Sequence, residues 1–113
     1  MTDWKSILEQ LSQANGISGK ESEVTQFIAK IIQPWTDEIK TNSLGSLIAI
    51  KKGESNHHPR LMISTHIAEI GFVVSAIEKG GFIRMEPRGG VDPKILPAQM
   101  LHILTQQGQI PAE

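Results

Sequence analysis

The sequence has 113 residues, of which 39% are hydrophobic and 20% charged, and its formal net charge is −1. This near-neutral balance gives no electrostatic reason to expect nucleic acid or an anionic membrane as a partner. The chain contains no cysteine, which excludes disulfides and thiolate sites, and it has no signal-like or membrane-spanning apolar run, so we expect a cytoplasmic protein.

Two amphipathic helices are predicted at the start of the chain. Thr2 is positioned to cap the first, and Gly16 is suited to end it in a left-handed conformation. Ser18 and Glu21 have the spacing of a capping box for the second helix, which Pro34 should end. The apolar residues of both helices recur at helical spacing, so we expect both apolar faces to pack into a core.

The period changes to that of strands after residue 36. Residues 37–53 predict two short strands around a turn at residues 42–46, and residues 61–65 predict a strand buried on both faces. Residues 70–87 predict two strands joined at a Gly-Gly pair, and residues 100–113 predict one more strand. This order predicts an α/β part followed by an all-β part that begins near residue 71, with neither part complete.

His66 is the strongest candidate for chemistry. It directly follows the predicted strand of residues 61–65, at the edge of an open α/β sheet where ligands bind, and a neutral imidazole is a good ligand for zinc or cobalt. The alternative is a packed or hydrogen-bonded histidine, which is the commoner role for a single histidine. For His57 and His58, in a polar loop, we expect a solvated role, and for His102, on one face of a strand, a structural one. A catalytic zinc usually has three protein ligands, so the residues alone do not predict an enzyme.

Four motifs occur in the order and spacing of one protein family: GISGKESEV (16–24), NSLGSLIAIKKG (42–53), THIAEIGFVV (65–74) and GGVDPKILPAQ (89–99). On these motifs the chain resembles the N-terminal part of the tetrahedral aminopeptidases, also called glutamyl aminopeptidase-like, cellulase-M or FrvX-like proteins. The resemblance implies a cytoplasmic metallopeptidase, a hydrolase that removes N-terminal residues from peptides. It implies a zinc-peptidase α/β catalytic domain with an inserted PDZ-like β domain, a pair of zinc or cobalt ions, and self-association through the inserted domain.

The resemblance also assigns domains and site residues. Residues 1–69 match the start of the catalytic domain, and residues 70–113 match the first part of the inserted domain. His66 matches a metal ligand, whereas Ala68 stands where the family has an aspartate that orients the imidazole. Glu69 should point to the opposite side from His66 if the preceding strand continues.

The resemblance leaves three functional hypotheses. In the family the remaining ligands and the general-base glutamate follow the inserted domain, and the implied reaction is attack of a metal-bound water on the peptide carbonyl. We therefore expect a chain that is truncated relative to the family and inactive alone. The first alternative is a non-catalytic binding or assembly module that pairs with a homologue or a complementary chain. The second is a small stable α/β protein that lacks the family function.

Overall fold

The computed structural model describes residues 2–54 and 59–112. Two helices are followed by short strands, which confirms the predicted mixture of helices and strands. No helix in the described part of the chain is long and apolar enough to cross a bilayer. The elements are α1 (Trp4–Gln13), α2 (Ser22–Ile32), a 3-10 turn (Gln33–Trp35), β1 (Glu38–Thr41), β2 (Leu47–Ile50), β3 (Gly71–Ile77), β4 (Ile83–Arg88), a second 3-10 turn (Pro93–Ile95), β5 (Leu101–Thr105) and β6 (Gly108–Ala112).

Helix α1 begins and ends differently from the prediction. Its cap is Asp3, not Thr2, because the Asp3 carboxylate accepts a hydrogen bond from the backbone N–H of Ser6 at 3.1 Å. The left-handed glycine after the helix is Gly19, with φ 88°, and not Gly16. Gly16 is required for a different reason, a close approach of neighbouring atoms, which is described with the candidate site below.

Helix α2 lacks the predicted capping box. It begins at Ser22, and no side chain in the described part of the chain caps its first turn. The carboxylate of Glu21 accepts instead from the backbone N–H of Gly19 at 2.9 Å, so it stabilises the preceding turn and is not paired with Ser18 as a capping box. The predicted end is confirmed, since Pro34 lies in the 3-10 turn that follows the helix directly.

The strands form three separate antiparallel hairpins, β1–β2, β3–β4 and β5–β6. The predicted turn at Asn42 is confirmed: its side-chain oxygen accepts from the backbone N–H groups of Leu44 at 3.0 Å and Ser46 at 2.9 Å. The predicted Gly-Gly connection between β3 and β4 is also confirmed. Gly80 and Gly81 have φ values of 90° and 88°, a conformation that other residues adopt at a cost.

The β5–β6 hairpin corrects the prediction of a single strand in residues 100–113. The Thr105 hydroxyl closes its tight turn by accepting from the backbone N–H of Gln107 at 3.1 Å and donating to the carbonyl of Gly108 at 2.8 Å. Strand β6 was missed because its polar residues and Pro111 do not give the alternation that predicts a strand.

The second strand of each later hairpin contains a proline. Pro87 in β4 lies opposite Phe72, and Pro111 in β6 lies opposite His102. Proline has no N–H to donate, so it fits a hairpin only where its nitrogen faces the outer edge of the strand. The outer edges of β4 and β6 therefore each lack one backbone donor.

Residues 61–65 do not form the predicted strand. The side chains of Leu61, Met62 and Ile63 are 87%, 87% and 85% exposed. Within the described residues, none of the five takes part in a backbone–backbone hydrogen bond. A strand buried on both faces needs neighbouring strands at both edges and apolar cover on both sides. The prediction is wrong because the strands of the described residues pair only within their own hairpins.

The described residues bury very little apolar surface. Val24 of α2 is the one buried apolar side chain among them, at 4% exposure, whereas Trp4 and Leu8 on α1 are 69% and 66% exposed. The predicted core face of α2 is thus confirmed in part, because Val24 is buried and the other apolar residues of that face are half-buried. The prediction for α1 is wrong for Trp4 and Leu8, whereas Ile7 and Leu11 are half-buried. The accessible surface is 10116 Å² and the radius of gyration 18.3 Å. A compact monomer of this mass would have roughly 6,100 Å² and about 13 Å. About 4,000 Å² of surface is exposed beyond that expectation.

Candidate functional site

His66 lies on the exposed segment between the predicted strand of residues 61–65 and β3, and both it and Ala68 are exposed. Within the described residues, no group of three histidine, aspartate or glutamate side chains is arranged to hold a metal ion. A catalytic zinc usually takes three protein ligands. The donor set described around His66 therefore does not fit a complete catalytic metal centre.

His102 is separate from His66 in sequence and in structural setting. His102 lies on β5 with its side chain exposed, between the half-buried Leu101 and Ile103. This alternation confirms the prediction that His102 occupies one face of a strand. His57 and His58, for which a solvated role was expected, lie outside the described residues.

Three residues after His66, the chain is bound to the loop between α1 and α2. The backbone N–H of Glu69 donates to the carbonyl of Gly16 at 2.8 Å, and the Glu69 carboxylate accepts from the N–H of Gly16 at 2.9 Å. Ile17 and Glu69 also form an isolated parallel β-bridge. We call this contact, made by residues 16–17 and 69–71, the Gly16–Glu69 joint.

Glycines make the joint possible because side chains occupy the space beside them. A Cβ on the buried Gly16 would lie 2.9 Å from Cγ1 of Val24 and 3.6 Å from the carbonyl oxygen of Ile67. A Cβ on Gly71 would overlap Cγ2 of Ile17. Real Cβ contacts are not this short, so either substitution would force neighbouring atoms to move.

Sequence reasoning assigned no role to Glu69. Its partner is 53 residues away, beyond the range of any local pattern. The signal that could have indicated a joint is the glycine at each side of it, Gly16 in GISG and Gly71 in EIG, because glycine is favoured where backbone and side chains approach closely.

The family model for M42 glutamyl aminopeptidase matches residues 45–112. Over 110 residues the chain is 34% identical to the lysyl aminopeptidase of Pyrococcus furiosus, and the match covers 96% of this chain and 31% of that protein. The matched region includes His66, Ala68 and the Glu69 side of the joint.

Two solved structures have the same backbone arrangement. The TET aminopeptidase of a marine sediment Thaumarchaeota archaeon superposes with a TM-score of 0.87 at 33% identity, covering 95% of this chain and 29% of that one. PhTET1-12s, described as a dodecamer, superposes with a TM-score of 0.82 at 26% identity, covering 97% of this chain and 32% of that one. The chain thus spans less than a third of the length of each of these relatives.

Proposed function

Since this chain belongs to the M42 glutamyl aminopeptidase family, we propose that it forms the N-terminal part of a metal-dependent aminopeptidase, a hydrolase that removes N-terminal residues from peptides. The observation that carries the proposal is the match of residues 45–112 to the family model, because it includes the motif around His66. The identity to a lysyl aminopeptidase over 96% of this chain supports it further.

His66 is the residue of this chain that contributes a ligand to a zinc or cobalt centre. When bound, the metal pair would supply Lewis-acid activation of water. An exposed imidazole at the end of the segment 61–65 is accessible to such an ion. Because one imidazole is short of the three protein ligands a catalytic metal usually needs, the chain alone is expected not to hydrolyse peptides.

The domain boundary is proposed at residues 69 and 70. Residues 1–69 belong to the catalytic domain, and residues 70–113 are the first part of an inserted PDZ-like β domain. The position of the Gly16–Glu69 joint supports this, since strand β3 begins at Gly71, the last residue of the joint, and no α-helix follows it among the described residues. We further propose a cytoplasmic location, which the lack of cysteine favours.

The test is hydrolysis of lysyl-p-nitroanilide by the purified chain with added zinc or cobalt, with the lysyl aminopeptidase of Pyrococcus furiosus as the positive control. We expect no metal-dependent turnover from this chain, and turnover would contradict inactivity alone. A cobalt titration followed by histidine NMR signals tests the ligand. Paramagnetic broadening centred on His66 supports its role as the ligand. The broadening should disappear in His66→Ala and remain in His102→Ala. No effect at His66 would favour a chain without the family function.

The second candidate function is a binding or assembly module that pairs with a second copy, a homologue or a complementary chain. The observation that favours it is the exposed surface, about 4,000 Å² beyond that of a compact monomer, against roughly 1,600 Å² buried in a standard interface. Unpaired hairpin edges and contiguous apolar side chains favour association. Light scattering over a range of concentrations tests it, and a clean monomer throughout would count against self-association.

A further inference from the structure

We propose that Glu69 is a positioning residue, whose carboxylate fixes the backbone that carries His66 against the loop between α1 and α2. The inference rests on the proposed function only in treating His66 as a residue of the site. Glu69 itself binds no substrate or metal in this proposal, because its carboxylate is occupied by a backbone N–H.

The first argument is that the polar groups of Gly16 depend on Glu69. Gly16 is buried, and a buried backbone N–H without a partner is costly. Within the described residues, its N–H finds its acceptor in the Glu69 carboxylate at 2.9 Å, and its carbonyl accepts from the Glu69 N–H at 2.8 Å. One residue thus satisfies both backbone groups of the glycine, and an ionised acceptor makes the stronger kind of hydrogen bond.

The second argument is that the joint acts on a short stretch of chain. His66 is three residues from Glu69, and Ile67 between them is half-buried with its carbonyl oxygen beside Gly16. The chain is therefore held on the far side of Ala68 by two hydrogen bonds and at Ile67 by packing. By contrast, residues 61–65 before His66 are exposed and form no backbone–backbone hydrogen bond with other described residues. Among the described contacts, the joint is therefore the one that restrains the backbone at His66.

The third argument concerns Ala68. Its methyl group cannot accept a hydrogen bond from the His66 ring, so side-chain support from this position is missing. The orientation of His66 then depends more strongly on its backbone, which the Glu69 contact restrains. A joint that holds the backbone can operate whether or not residue 68 supports the ring.

The experiment compares four chains without metal by amide hydrogen exchange and by ¹⁵N relaxation: the unmodified chain, Glu69→Ala, Glu69→Gln and Glu86→Ala. Glutamine keeps a side-chain oxygen that can accept from Gly16. Glu86 lies on β4, is exposed and has no side-chain hydrogen bond or ion pair within the described residues, which makes it the matched control. Neither measurement depends on catalysis or metal binding. The proposed function can therefore fail while this inference holds, and this inference can fail while the proposed function holds.

We expect Glu69→Ala to accelerate exchange of the Gly16 amide by at least about tenfold and to increase backbone motion at His66 and Ile67. Glu69→Gln, whose neutral amide oxygen is a weaker acceptor, should fall between the unmodified chain and Glu69→Ala in both measurements, and Glu86→Ala should leave both unchanged. Unchanged exchange of the Gly16 amide in Glu69→Ala would show that the Glu69 carboxylate does not protect it. Unchanged backbone motion at His66 would overturn the positioning role. If Glu69→Ala unfolds the chain, Glu69→Gln decides: retained protection at Gly16 supports the inference, and its loss overturns it.

Discussion

Substitution of Ile63 by alanine is expected to lower the free energy of unfolding by less than about 0.5 kcal/mol. Full burial of an isoleucine side chain stabilises a protein by about 1.5–3 kcal/mol. Ile63 is 85% exposed, so only a small fraction of that contribution is at stake. Val24→Ala is the matched comparison, because Val24 is 4% exposed. Loss of its two methyl groups and the cavity that remains should cost about 2 kcal/mol. We therefore expect the larger cost from Val24→Ala, although valine is the smaller of the two side chains.

The assay is urea unfolding followed by far-UV circular dichroism, which reports on α1 and α2. Both variants should be measured at a concentration where light scattering finds monomers, since association would cover Ile63. A cost of 2 kcal/mol or more for Ile63→Ala, the range of a buried isoleucine, would refute the reasoning. It would mean that residues 61–65 are buried in the isolated chain.

Three further predictions concern the turn, the joint and the candidate ligand. Asn42→Ala removes the acceptor for two backbone N–H groups and should cost about 1 kcal/mol, measured as faster amide exchange in β1 and β2; unchanged exchange would contradict it. Gly71→Ala should displace Ile17 and destabilise the chain by about 1–3 kcal/mol in urea unfolding, and an unchanged midpoint would show that the contact relaxes freely. Ala68→Asp should raise the affinity of His66 for cobalt by about tenfold or more in the NMR titration, because a carboxylate can orient the ring; equal affinities would contradict that support.

The structural features that the sequence predicted are local ones. The turn at Asn42 and the Gly80-Gly81 hairpin are set by side-chain acceptors and positive φ angles within a few residues of each other, so the pattern contains the whole cause. The end of α2 just before Pro34 is equally local. For such elements, sequence and structure agree because few distant contacts are involved.

The features that were missed depend on distant partners. The composition of residues 61–65 is that of a buried strand, but a strand also needs neighbours, and the described hairpins provide none. The contact between Gly16 and Glu69 joins residues 53 positions apart, so neither capping rules nor periodicity could identify it. His66 was recognised through its motif, whereas its surroundings could be described only from the structure.

Pro87 and Pro111 make the two later hairpins one-sided. A further strand added beside β4 or β6 would meet a position with no donor, whereas the outer edges of β3 and β5 contain no proline. Growth of either hairpin into a larger sheet is therefore directed to its first strand. These two prolines therefore determine the edge at which another polypeptide can add a strand to each hairpin.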